Sequence, residues 1–413
     1  MSNGETLKLL SASESVLMPS GYAVVMKNLL PRLTKMGWDC FHIGWQHQGL
    51  PQPYGDEDGN TYVQVAPGTS SMNDPEFPLR MPEYINRHKP DCVFSLIDFW
   101  MSLGMIDYTN DAGVPYVNYF PQDGDPFYIN WLDHLKKTHT PLTQSKFGVE
   151  AITDTVQNHG KGGWTRSFEI DHLWHGVDHK VFHPLKKQQL EEDRQGFLKQ
   201  NPDTFVIGAI GKNTMRKQHP RVMEAFSIFA EDKSDVILMM KAGDPGNHQH
   251  QGNNLYDYAR KLNLNTDKMR FIDKISDLTD GVSEVELNHL YNLFNVYVNG
   301  TSGEGFGIPT IESMAAGTPV IITDYTTGPE IVKDTGWIVP CNDYVIGEWN
   351  IRRGLIDIYK LVDAFEDAYN DRNKVKELGK KSLKRSKKFT WDKVVNKCDG
   401  ILRSAVDRGA VKQ

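Results

Sequence analysis

Residues 300–317, GTSGEGFGIPTIESMAAG, set two glutamates, Glu304 and Glu312, eight positions apart around a glycine-rich turn. The stretch follows the apolar run VYVNG, and Pro309 suits the first turn of a helix that Gly317 ends. Small residues before a helix let backbone amides approach a ligand closely, and amides at a helix N-terminus hold anions such as phosphate. Carboxylates beside a phosphate are unfavourable unless they bond hydroxyl groups, which a ribose or a hexose supplies. Glu304 falls in the loop and Glu312 one turn into the helix, so the two are not a helical pair. The plainer alternative is an ordinary turn whose acids cap a helix.

A second cluster of reactive types is IGKNTMRKQ, residues 210–218, directly after the apolar run TFVIGAIG. Lys212, Arg216 and Lys217 gather at the carboxyl end of that run. Cations there neutralise a diphosphate as it leaves, when negative charge accumulates in the transition state. Taken alone, the segment also reads as a solvated basic turn. Near the N-terminus, Ser20 and Gly21 open a helix in PSGYAVVMKNLLPRL; their amides suit a phosphate, or Ser20 simply caps the helix. Metal chemistry is weakly signalled. His172, His175, His179 and His183 are spaced like ligands on one helix face, but Gly176 interrupts it. The pair in NHQHQ (247–251) reads as an exposed loop, and the DGD triplet, Asp123 to Asp125, is too short to define a metal motif.

These segments need elements to position them. The 413 residues suit two domains, and 39% apolar content is enough for a core. Short apolar runs alternate with helix-length segments: LKLLSAS, DCFHIGW, DCVFSLID and VPYVNYF first, with an amphipathic helix over about 22–36. The polar segment QQLEEDRQGFLKQNP intervenes, and the pattern restarts with TFVIGAIG, DVILMMKAG, MRFID, VYVNG, PVIIT and GWIVP. Alternating strands and helices predict parallel sheets covered on both faces, with ligands at the carboxyl ends of the strands. We read an N-terminal doubly wound domain over 1–185, a second over 186–388, and a C-terminal helix over 389–413 that packs back on the first.

A formal net charge of −7 gives no global basic field for nucleic acid. Four scattered cysteines fit neither a disulfide framework nor a zinc site, and a reducing, cytoplasmic setting is expected. No 18-residue apolar run predicts a membrane span. Peripheral membrane contact stays open, though no basic amphipathic patch singles it out.

The string EGFG followed by ESMAAGTPVI resembles the E-x7-E motif of the retaining glycosyltransferases of family 4, which have the GT-B fold. The resemblance is strongest over about 204–340 and extends to TQSKFGVEAI and HGVDHKVFHP. It implies a metal-independent hexosyltransferase that needs no cofactor beyond its nucleotide-diphosphate sugar. Glu312 would then bond the nucleotide ribose, and Glu304 would lie near the donor sugar. The amides of Gly305, Phe306, Gly307 and Ile308 would surround sugar and diphosphate. Lys217 matches the usual lysine, whereas Lys212 stands where an arginine is usual and loses its bidentate fork. Ser20 and Gly21 fall where members carry a Gly-rich loop, here with one glycine. Many members carry a histidine after a buried strand of the first domain. Here PQDGDPFYINW offers Asp123 instead, to orient or deprotonate an acceptor hydroxyl. The expected partners are a nucleotide sugar and a glycan, protein or lipid-linked acceptor. Trp45, Trp100, Tyr119, Phe127, Tyr128 and Trp131 are either core or sugar-stacking platforms. A nucleotide-sugar epimerase and an inactive glycan- or nucleotide-binding module are the competing readings; a phosphorylase would need a cofactor-bearing lysine and a longer chain.

Overall fold

A computed structural model describes residues 6–66, 77–160, 169–198, 201, 203–246, 252–272 and 282–409. The histidine pair of 247–251 lies outside the described residues. The chain divides into two compact units, Met1–Gly176 with Trp391–Gln413, and Val177–Thr390.

The first unit is built on β1 (Leu7–Glu14), β2 (Trp38–Trp45), β3 (Gln52–Gly55), β4 (Thr61–Val65), β5 (Cys92–Leu96), β6 (Tyr116–Phe120), β7 (Thr140–Thr143) and β8 (Asp171–His172). They form one sheet in the order β3-β4-β2-β1-β5-β6-β7-β8, parallel except for the antiparallel pairing of β3 with β4. β5 (CVFSL) and β6 (YVNYF) are buried at every position, as strands covered on both faces must be. Chain order runs outward from β1 to one side and then restarts at β5 on the other. The switch point therefore lies between β1 and β5, where an open α/β sheet leaves a crevice at its carboxyl ends. The helix Gly21–Lys35 follows β1, and the C-terminal helix Trp391–Arg408 packs against it within this unit. Arg403 donates to the carbonyl of Met36 (2.9 Å) and the Trp38 indole to Asp399 (2.7 Å).

The second unit repeats the plan with β9 (Phe205–Ile210), β10 (Val236–Lys241), β11 (Met269–Phe271), β12 (Val296–Asn299), β13 (Val320–Thr323) and β14 (Trp337–Val339). Its order is β11-β10-β9-β12-β13-β14, parallel throughout, so the switch point lies between β9 and β12. Val222, Phe226 and Phe229, on the inner face of the helix His219–Phe229, anchor the core with Phe205, Leu238 and Phe365. A fully buried side chain of this size contributes about 1.5–3 kcal/mol.

Three features depart from the sequence expectations. The polar segment after 187 is a helix, Lys187–Leu198, held by Arg194 on the carbonyls of Leu293 and Thr204. A hairpin, β15 (Cys341–Ile346) with β16 (Arg352–Ile356), follows β14. Its turn puts Trp349 and Asn350 at positive φ, while the turn's glycine, Gly347, sits at φ −94, so no glycine marks the positions where the hairpin signal normally falls. Finally, the helix Arg372–Ser386 is strongly basic and amphipathic, contrary to the expectation that no such patch exists. Its lysines are masked in the overall net charge of −7. Among the described residues no helix is long and apolar enough to cross a membrane.

Candidate functional site

In the second unit the loop after β9 and the loop after β12 meet at the switch point. Main-chain bonds fix the meeting: the Ser302 amide donates to the Arg216 carbonyl (2.7 Å), and Gly354 donates to Ser302 (2.9 Å). Gln218, itself left-handed at φ 50, donates through its side-chain amide to the carbonyls of Gly300 and Gly354, both 2.9 Å. Two loops that are over 80 residues apart in sequence are thereby locked in one register.

That lock brings Arg216, Lys217 and Glu304 together. One Glu304 oxygen accepts from Arg216 Nη1 at 2.8 Å, and the other accepts from Lys217 Nζ. Arg216 also donates to the carbonyl of Gly303. Burial alone would raise the Glu304 carboxyl; the charges of Arg216 and Lys217 and their hydrogen bonds overcome it and hold the group down at about 2. Glu304 is therefore ionised, and the three groups together keep one net positive charge. Its own amide donates to Thr326 Oγ1 (3.0 Å). Lys212 is exposed in the loop after β9 and is not drawn into this triad. Below it, His219 faces the Gly211 carbonyl through Nε2 (3.0 Å); burial pushes its pKa down to about 4, so the ring is neutral.

Gly305, Phe306 and Gly307 lead into the helix Ile308–Ala315. Gly307 is its N-cap at φ 97, a conformation that strains any residue with a side chain. Pro309 fills the first turn, as the sequence predicts. The Thr327 hydroxyl donates to the Phe306 carbonyl (2.8 Å), which pins the loop from behind. Pro309 has no amide hydrogen and the Thr310 amide donates to the Gly307 carbonyl (3.0 Å), so the helix N-terminus turns the positive end of its dipole toward this loop.

Glu312 sits in the same helix but in a different medium. It is buried, and Tyr291 donates its hydroxyl to Oε2 (2.9 Å). Burial raises its carboxyl to about 7, partly opposed by the Tyr291 bond, and no cation counters it. The two glutamates of one motif are thus shifted in opposite directions.

In the first unit, Ser20 caps the helix Gly21–Lys35, accepting from the Ala23 amide (3.2 Å) and donating its hydroxyl to Glu14. Tyr22 donates to Asp98 Oδ1 (2.7 Å). Desolvation raises the Tyr22 hydroxyl well above its ordinary value, followed by Asp98, with Asp123 and Glu14 adding to the same push. The carboxyl ends of β1, β5 and β6 therefore gather Glu14, Ser20, Tyr22, Asp98 and Asp123 at this unit's switch point. Glu14, Tyr22 and Asp98 were not singled out in the sequence; their only signal is that each stands at or just beyond the end of an apolar run. Of the aromatics, Tyr119, Phe127 and Trp131 are core, with Phe127 edge-on to Phe99 (5.0 Å), whereas Trp100 is exposed. Among the described residues no three His, Cys, Asp or Glu side chains stand close enough to hold a metal. His179 instead faces Ser386 Oγ (3.0 Å) and His183 the carbonyl of Pro184 (3.1 Å).

Residues 191–385, which contain both loops and both glutamates, match the family model of the group 1 glycosyl transferases. Over those residues, just under half of its length, the chain is similar to that family. A similar curated protein is the mannosylfructose-phosphate synthase of Agrobacterium fabrum, 26% identical over 153 residues, which are 36% of this chain and 31% of that protein. The matched segment thus spans about a third of that relative's length. Sucrose-phosphate synthase from Thermosynechococcus elongatus superposes with a TM-score of 0.74 at 15% identity, covering 97% of this chain and 100% of that one. Anabaena HepE, solved in complex with UDP-glucose, superposes at 0.70 with 13% identity, over 96% of this chain and 100% of its own. The chain accordingly has the GT-B fold.

Proposed function

We propose that the protein moves a hexose from a nucleotide-diphosphate sugar to an acceptor hydroxyl with retention of anomeric configuration. The observation that carries this reading is the Arg216–Glu304–Lys217 triad beside the helix amides at the β9/β12 switch point. A diphosphate entering there competes with Glu304 for both cations and finds the amides of Gly305 to Ile308 on its other flank. As the sugar–phosphate bond breaks, charge grows on the diphosphate, and preorganised donors stabilise it more than they stabilise the bound substrate. Glu304, released in part from its cations, bonds the sugar hydroxyls. Glu312 accepts from the nucleotide ribose, which adds a second donor to a desolvated carboxyl already bonded by Tyr291. Lys212 adds an outer positive charge.

On the acceptor side Asp123 orients the attacking hydroxyl, whose single proton passes to the leaving phosphate on the same face of the sugar as the sugar–phosphate bond breaks and the bond to the acceptor oxygen forms. Two cations and a helix terminus supply the charge that a metal would otherwise bring, so the reaction is proposed to need neither metal nor cofactor. Solved HepE holds UDP-glucose on a similar fold, which favours a nucleotide sugar as donor. Four free thiols suit a reducing, cytoplasmic compartment. The test is proton NMR of the sugar released or transferred from UDP-glucose and GDP-mannose. A product whose first-formed anomer matches the donor supports the reading; an inverted anomer, or no turnover of any nucleotide sugar, refutes it.

A further inference from the structure

The segment 372–388 holds nine Lys or Arg and one acid, Glu377, and so carries +8 in a chain whose formal charge is −7; the remaining residues carry −15. Within it the helix Arg372–Ser386 turns Val375, Leu378, Gly379, Ser382 and Ser386 inward. Three of the cations have internal tasks. Lys374 pairs with Asp367 (2.6 Å), Arg372 lies over the Phe205 ring (4.0 Å), and Arg385 donates to the carbonyls of Ile331 and Glu330. Lys376, Lys380, Lys381, Lys384 and Lys388 are exposed. Among the described residues none of these five has a side-chain partner. Lys376, Lys380 and Lys384 recur every four positions and share one face over about 12 Å. Like charges at that spacing repel and weaken the helix that bears them. No fold requirement calls for them, since the inward face alone anchors the helix.

We propose that this lysine face docks the second unit on an anionic lipid surface. Four to eight basic residues on one amphipathic helix are the pattern that anionic headgroups attract. Lysine is a compact point charge suited to a diffuse plane of phosphates, whereas discrete phosphate recognition favours the arginine fork. The outward residues include no aromatic, so bases of a nucleic acid find no stacking platform. The inference does not rest on the sugar-transfer reading, because none of these lysines belongs to the triad or its loops.

The test is sedimentation of the full chain with vesicles of phosphatidylcholine alone and of phosphatidylcholine with phosphatidylglycerol in equal parts. The wild type is expected to pellet only with the anionic vesicles and to be released by high salt. Each neutralised lysine should weaken binding about five-fold, so Lys376→Gln, Lys380→Gln and Lys384→Gln combined should weaken it about 100-fold. The same three positions changed to Arg should retain binding. An unchanged or raised unfolding midpoint in the Gln variant shows that its fold is intact. Equal binding to both vesicles, or full binding by the Gln variant, overturns the proposal. So does displacement from the vesicles by a stoichiometric RNA duplex or acidic polypeptide, which would move the assignment to that polyanion.

Discussion

The two units share one construction, a doubly wound sheet with polar side chains at its switch point, but they fill that point with opposite charge. The β9/β12 point concentrates Arg216 and Lys217 on a single buried carboxylate, Glu304, and adds a helix terminus. The β1/β5 point concentrates the carboxyls of Glu14, Asp98 and Asp123 around Tyr22. On the proposed reading the same topology makes an anion site in one unit and a hydroxyl-binding site in the other. The difference lies in loop residues, since the strands of both units are apolar runs that only build the platform.

The largest effect that can break this contrast is loss of a cation at the anion site. Lys217→Ala should lower turnover about 10²–10³-fold, the range for removing one preorganised donor from a developing anion. It should also weaken nucleotide-diphosphate binding, as read by calorimetry. If turnover falls less than ten-fold, the positive character of this switch point is not catalytic.

Next comes the ionisation of Glu304. Its folded-state pKa is depressed to about 2, so its contribution is present above its ordinary value and lost as pH falls toward 2. The shift corresponds to about 3 kcal/mol. Denaturant midpoints of wild type and Glu304→Gln should differ most at neutral pH and converge as pH falls below 4. Glu312 should behave in the opposite sense. Its folded-state pKa is raised to about 7, so stability declines as pH rises from about 4.5 to 7. Glu312→Gln should therefore gain stability above pH 7, by about 2–3 kcal/mol, while losing nucleotide affinity. A glutamate that is costly in the empty fold yet needed for the ligand is the expected mark of a binding residue. If the Gln variant binds nucleotide as tightly as wild type, Glu312 is merely a buried core acid.

The smallest effect belongs to the first unit. Asp123→Asn should lower turnover with acceptor about 10²-fold and leave nucleotide affinity unchanged. A change in nucleotide affinity instead would erase the proposed division of labour between the units.

How much of this the sequence revealed follows the same division. The anion site was legible because its parts are local: Glu304, Gly307, Pro309 and Glu312 lie within one loop and one helix turn, and Arg216 and Lys217 lie in one other loop. Each residue type carries its own reason for being there. What was not legible was the bonding of Glu304 to both cations, which depends on the register that Gln218 and Ser302 impose across more than 80 residues. The hydroxyl site was only partly legible, because Glu14, Tyr22, Asp98 and Asp123 come from four separate segments and meet through the pairing of β1, β5 and β6. Asp123 was found through a missing histidine rather than through its neighbours. The hairpin and the basic helix were missed for different reasons. Trp349 and Asn350 take a turn geometry normally announced by glycine, and the lysines of 372–388 were averaged into a negative whole.

The most direct test of the account is calorimetric titration of UDP, GDP and ADP into the wild type and into Arg216→Ala with Lys217→Ala. One nucleotide diphosphate should bind the wild type with favourable enthalpy, and the double variant should lose at least 100-fold in affinity. Equal affinity in the two proteins would show that the triad is not the diphosphate site and would contradict the proposed reaction.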